Sequence, residues 1–147
     1  MTDARLPERW LSDRRLLRLP DAAFRLFVTA LVWSVSNRTD GRIEPEDLGL
    51  LPGVDVRAVP AVVKAGLWRP YPAELPPESS PQGWFMVDFE DTQTTAAQLA
   101  GLAYKRAHER ESKARRRAHD RGDHSLCRSD TCAIVRGVVR ADDRPDT

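Results

Sequence analysis

At 147 residues with a formal net charge of +1, the chain is long enough for one ordinary domain with an appendage and too short for two independent cores. A total so near neutrality means that any polyanion partner must be argued from where the charge sits, and no run approaches the roughly 18 to 20 apolar residues of a membrane-spanning helix. The first residues are charged throughout rather than basic and then apolar, and the two cysteines lie too close together for a disulfide framework, so the composition predicts a cytoplasmic protein with no membrane partner.

Residues 1–18 read as an N-terminal arm, with Trp10 and Leu11 as anchors among Arg and Asp. Leu19-Pro20-Asp21 then opens a helix to about Asn37. Pro20 suits a first turn, Asp21 faces the free amides, and Phe24, Phe27, Val28, Leu31 and Val35 fall at helical spacing. Asn37 to Gly41 is a turn, since Asp-Gly supplies the positive backbone angles that short turns need, and Arg42-Ile43 can follow as a brief strand. Glu44-Pro45-Glu46-Asp47 starts a second short helix with Leu48, Leu50 and Leu51 as its apolar residues, ended by Pro52-Gly53.

Val54 to Ala65 reads as a third helix with Val56, Val59, Val62 and Val63 inward, stopped by Gly66. Pro60 either falls in a first turn that begins near Val59 or kinks the helix. Prolines then crowd the segment from Pro70 to Pro81, which predicts an irregular loop, and Gly83 to Phe89 is the clearest strand. A last helix is expected to start near Asp91 or Thr92 and to run to about Ala118, packing Leu99, Leu102, Ala103 and Ala107 against the domain before becoming polar. Residues 133–147 carry the apolar Ile134, Val135, Val138 and Val139 and then a polar tail.

Charge is segregated along this order. No Lys or Arg lies between Pro70 and Tyr104, whereas Lys105, Arg106, Arg110, Lys113, Arg115, Arg116, Arg117 and Arg121 face only Glu109, Glu111 and Asp120. Two readings stand for this helix: a solvated face with favourably spaced pairs such as Glu109 and Lys113, or a set of phosphate contacts that release counterions and bind DNA independently of sequence. The phosphate reading expects replacement of Arg115, Arg116 and Arg117 by Ala to weaken binding on all sequences alike.

His119, His124, Cys127 and Cys132 follow in the pattern H-x4-H-x2-C-x4-C. Two imidazoles and two thiolates suit a tetrahedral zinc ion, and Gly122-Asp123 supplies a tight turn between the histidines; free thiols with incidental histidines are the other reading. The four tryptophans fit core packing better than a stacking platform, and Asp88, Glu90 and Asp91 fit a helix cap better than a catalytic cluster. There is no phosphate-cradling glycine loop and no dinucleotide fingerprint, and every histidine lies between residues 108 and 124, so no enzyme is expected.

The order of elements is that of a winged helix-turn-helix, a mostly α fold with a small β-wing. Asp40-Gly41-Arg42-Ile43, Ala65-Gly66-Leu67-Trp68 and Trp84 to Gln93, in that order and spacing, resemble the N-terminal winged-helix domain of phage replisome organisers and DnaD-like primosome proteins, and especially small helix-turn-helix proteins of actinobacterial phages. The resemblance covers about residues 19–118 and implies a winged-helix domain at 19–104; the charge run adds a basic helical extension at 105–121, and the His/Cys spacing admits a zinc knuckle in the tail at 122–147.

It further implies DNA binding in replication initiation or organisation. Arg57 and Lys64 of the third helix would enter the groove, and the loop between Trp68 and Trp84 would be the wing. The wing is acidic and proline-rich where a DNA-binding wing usually carries Lys or Arg. That departure keeps open a transcriptional regulator, or an adaptor that captures a replication or transcription protein. A homodimer is also admitted, because winged-helix proteins often dimerise. With so few cations on the third helix, residues 105–132 are expected to supply most of any grip on DNA.

Overall fold

The computed structural model describes residues 3–142 except 75 and 77, and of residues 138–142 it describes the backbone alone. Contacts divide the chain into two compact units, Met1–Leu99 and Ala100–Thr147.

The first unit is mixed α/β. A short 3-10 turn (Glu8–Leu11) and helix α1 (Arg14–Leu17) precede the long helix α2 (Asp21–Asn37); strand β1 (Arg42–Ile43), helix α3 (Pro45–Leu48), a 3-10 turn (Val56–Ala58), helix α4 (Val59–Lys64), strands β2 (Trp68–Tyr71) and β3 (Gly83–Met86) and helix α5 (Phe89–Thr92) come next. The strands form one antiparallel sheet in the order β1-β3-β2, with Ile43 opposite Trp84 and Trp68 opposite Met86. Those four side chains are buried with Leu26, Leu31 and Val62, so the sheet's inner face and the inner sides of α2 and α4 share one core. The tryptophans are core or core-edge residues as expected, with Trp68 and Trp84 buried and Trp10 and Trp33 packed against the cluster.

Helix α2 has the predicted bounds, but its buried stripe is rotated. Leu26 and Ala30 are fully buried, whereas Phe24 is 47% exposed. The reason is that α2 meets both α4 and the sheet, so the small residues mark the face of closest approach. The turn after it takes the expected left-handed conformations at Arg38, Asp40 and Gly41, and a Cβ on Gly41 would lie 2.8 Å from Phe89. Ser34, fully buried, accepts the Gly41 N–H at 2.8 Å and pairs with the Thr39 hydroxyl at 2.7 Å, which fixes the path from α2 into β1.

Several expectations are corrected. The third helix is a 3-10 turn followed by α4, with Pro60 in the first turn of α4 where its missing N–H costs nothing; Val56 and Leu50 are exposed. β2 includes Pro70 and Tyr71, because it is an edge strand, where a residue without an N–H is tolerated. The clearest strand ends at Met86, and Asp88, rather than capping the next helix through its carboxylate, binds Arg15 at 2.6 Å.

The long helix does not start at Asp91 or Thr92. Thr92 closes α5, and α6 (Ala96–Asp120) begins only after a break, where Thr95 and Gln98 exchange side-chain and backbone hydrogen bonds of 3.0 and 3.2 Å in a reciprocal cap. Nor is its first half packed: Leu102 is 45% exposed, Tyr104 is 73% exposed, and Ala103 and Ala107 are exposed too. The N-terminal residues are also more than an arm. Leu16 is buried in the core, and the Gln93 side-chain amide pairs with both backbone groups of Arg5 at 2.9 and 2.8 Å.

In the second unit, α6 leads through a loop to helix α7 (Ala133–Asp142). Ile134 is exposed, and the side chains of Val138 and Val139 lie outside the described residues. No described helix is long and apolar enough to cross a membrane.

Candidate metal centre

The C-terminus of α6 creates the site. Gly122 adopts φ +82°, a conformation that costs glycine nothing, while its N–H donates to His119 O (2.9 Å) and the Asp123 N–H donates to Ala118 O (2.9 Å). These are the paired bonds of a Schellman end, which closes the helix and reverses the chain. Asp123 then accepts the Ser125 backbone N–H at 3.0 Å and its hydroxyl at 2.6 Å, tightening the turn that carries His124 back toward His119. The Cys127 N–H donates to His124 O, and Cys132 stands immediately before α7.

All four side chains predicted as ligands meet. His119 Nδ1 lies 3.4 Å from Cys127 Sγ and 4.0 Å from Cys132 Sγ; His124 Nδ1 lies 3.7 and 3.6 Å from the same two sulfurs. The candidate ligand atoms are all within 4.8 Å of one another, and the two imidazoles meet edge to face at 4.7 Å between centroids. This group could hold a metal ion.

The two thiols are unlike. Hydrogen bonds from the backbone N–H groups of Val135 and Ile134, in the first turn of α7, hold Cys132 below the usual thiol range, and its contact with Cys127 adds to this. Desolvation, followed by that same contact with Cys132, pushes Cys127 upward. The backbone donors thus favour the thiolate form at Cys132 more than at Cys127.

Around this centre the second unit has almost no apolar core. Among its described side chains only Ala118 and Cys132 are buried. Too little apolar surface is removed from water to offset the entropy of ordering the loop from Arg121 to Thr131, so the polar cluster is the feature able to hold it.

The eight basic residues of 105–121 are distributed around α6 by its helical period. Arg106, Arg110, Lys113 and Arg117 fall on one face, all exposed. Ser112, Arg115 and His119 fall on the other and, with Arg116, line a shallow pocket with Cys127 and Cys132. Lys105 and Arg121 are exposed near the two ends of the run. Among the described residues none of these cations forms an ion pair, so the expected Glu109–Lys113 pair is not made.

In the first unit, Arg57 does not project freely. Its guanidinium binds Asp55 at 2.9 and 3.0 Å. Of the residues on α4, Pro60 and Lys64 are exposed, which leaves one side-chain donor for base edges and disfavours readout of sequence by this helix. Lys64 instead lines a cleft with Arg14, Arg15 and Arg18. Sequence pattern alone does not single out Arg14 and Arg18, although Asp13 as a helix cap and their one-turn spacing were legible signals.

No family model matches the chain, and no match is found among curated proteins or among solved structures.

Proposed function

We infer that the chain is a DNA-binding protein with a winged-helix body, in which a zinc knuckle stiffens the basic end of α6 so that it grips phosphates. The observation that carries this reading is the stripe of Arg106, Arg110, Lys113 and Arg117, exposed and unpaired among the described residues, on the helix face opposite the His/Cys cluster. The knuckle occupies one side of the helix and leaves the cationic side open to a polyanion.

Zinc suits the donor set. Bonds of about 2.3 Å to sulfur and about 2.0 to 2.1 Å to nitrogen at tetrahedral angles give nitrogen–sulfur edges of about 3.6 Å. The four such separations in the cluster, 3.4, 3.7, 4.0 and 3.6 Å, bracket that value before any ion draws them in. Two imidazoles and two thiolates leave no open position, so the ion would be structural rather than catalytic. The winged-helix reading draws on the order helix, strand, helix, helix, strand, strand and on the sheet order β1-β3-β2. Because α4 offers one free cation and few donors, phosphate contact is favoured over base readout. That suits replication initiation or organisation of phage or prophage type better than a regulator of one operator.

The test is binding of random-sequence duplex DNA by the full chain across a salt series. Changing Arg106, Arg110, Lys113 and Arg117 to Ala should reduce the slope of log affinity against log salt by about 3 to 4, one contact contributing about 0.9. An unchanged slope would refute the stripe as the grip.

A further inference from the structure

A second concentration of positive charge lies in the first unit and includes no residue of α6. Arg14, Arg15, Arg18 and Lys64 line a cleft of about 590 Å³ whose floor includes Leu19 and Ala61, and no carboxylate lines it. Two features make it more than a chance meeting of surface cations.

First, α1 is locked. Asp13 caps it by accepting the Arg15 N–H at 2.9 Å, and Leu16 is buried in the core. The Arg15 guanidinium bridges Asp13 at 2.7 Å and Asp88 at 2.6 Å, tying α1 to the start of α5. Arg15 therefore satisfies the nearby acids and positions the helix, while Arg14 and Arg18, one helical turn apart, are left exposed toward the cleft.

Second, the opposite wall is α4, and its contribution is Lys64, exposed in the last turn. Among the described residues Arg14, Arg18 and Lys64 form no ion pair. Three cations without an ion-pair partner among the described residues line one partly apolar cleft, and a polyanion lying between them would offset their mutual repulsion. Their long flexible stems suit the repeating phosphates of a backbone better than one fixed small anion.

We propose that the α1–α4 cleft is a second DNA contact, in which Arg14, Arg18 and Lys64 hold backbone phosphates of duplex DNA and Arg15 is a positioning residue. This rests on the reading of the chain as a DNA-binding protein and deepens it: the folded body grips the duplex itself, through residues separate from α6. It also alters the expectation that residues 105–132 supply most of the grip.

The experiment uses the full chain, a random-sequence duplex and fluorescence anisotropy across a salt series. The Arg14→Ala/Arg18→Ala/Lys64→Ala variant should bind about tenfold or more weakly at 0.1 M salt, with the salt slope reduced by about 2 to 3. Arg14→Lys/Arg18→Lys should keep the slope, because phosphate contact asks for charge rather than a particular fork, and an unaltered circular dichroism melt would show that neither variant acts by unfolding. If the triple variant matches the parent in affinity and slope while the α6 stripe variant loses both, the cleft proposal is overturned and the DNA reading stands. If the stripe variant is silent and the cleft variant loses binding, the cleft stands and the α6 reading fails. Absence of salt-dependent duplex binding by the parent overturns both, and polyglutamate binding as tight as duplex binding overturns the assignment to DNA in favour of an acidic protein partner.

Discussion

Cys132 and Cys127 sit in the same cluster but are asked to lose their protons under different conditions. Backbone N–H groups favour the Cys132 thiolate, so its contribution to the folded cluster is present above the usual thiol range and fades as pH falls through the lowered value. Cys127 is shifted the other way, mainly by desolvation, and a cation would have to displace its proton. Acid would therefore oppose a bound cation at both sulfurs, by restoring their protons. The purified chain should contain about one zinc per molecule by elemental analysis, and should release it on acidification. Changing Cys127 and Cys132 to Ser should abolish zinc binding; retention of the ion by that variant would refute the assignment. These four residues were fully legible in the sequence, since their chemistry and close spacing need no distant partner. Asp88 shows the opposite case: beside a helix start it reads as a cap, and only packing brings Arg15 within reach.

At the scale of elements, ends matter more than interiors. Ser34 lies within α2 yet sets the course of the turn beyond it, because its hydroxyl is the acceptor for the buried Gly41 N–H. Changing Ser34 to Ala should destabilise the chain by about 1 to 3 kcal/mol, the cost of leaving a buried donor without a partner, measurable as a lower urea midpoint at unchanged slope. No loss of stability would mean that water reaches Gly41. The bounds of α2 and the turn after it could be read from Pro20, Asp21 and Asp40-Gly41, whose conformational demands are local. The start of α6 was equally local, written in Thr95 and Gln98, but it is hidden by a continuous run of acceptable helix residues from Asp91 onward. The inward face of α2 was less legible. Apolar spacing admits Phe24 as readily as Leu26, and the choice is made by α4 and the sheet.

For the whole molecule, the two units stand on different supports. The first has an apolar core built on Leu26, Leu31, Ile43, Val62 and Trp68, whereas the second buries only Ala118 and Cys132 among its described side chains. Chelation should therefore act on one and spare the other. After metal removal, amide hydrogen exchange should accelerate across residues 119–132 while α2 and β3 keep their protection. Loss of protection in both units would show that they unfold together. The order of α2, β1, α3, α4, β2, β3 and α6, the basic run of 105–121 and the four candidate ligands are legible in the chain alone, because period, capping and ligand chemistry act over a few residues. Packing decides which cations α6 leaves free of the His/Cys cluster, and that Arg14 and Arg18 share a cleft with Lys64. Those outcomes depend on which faces pack together and on residues about fifty positions apart in the chain, and no local pattern encodes that distance.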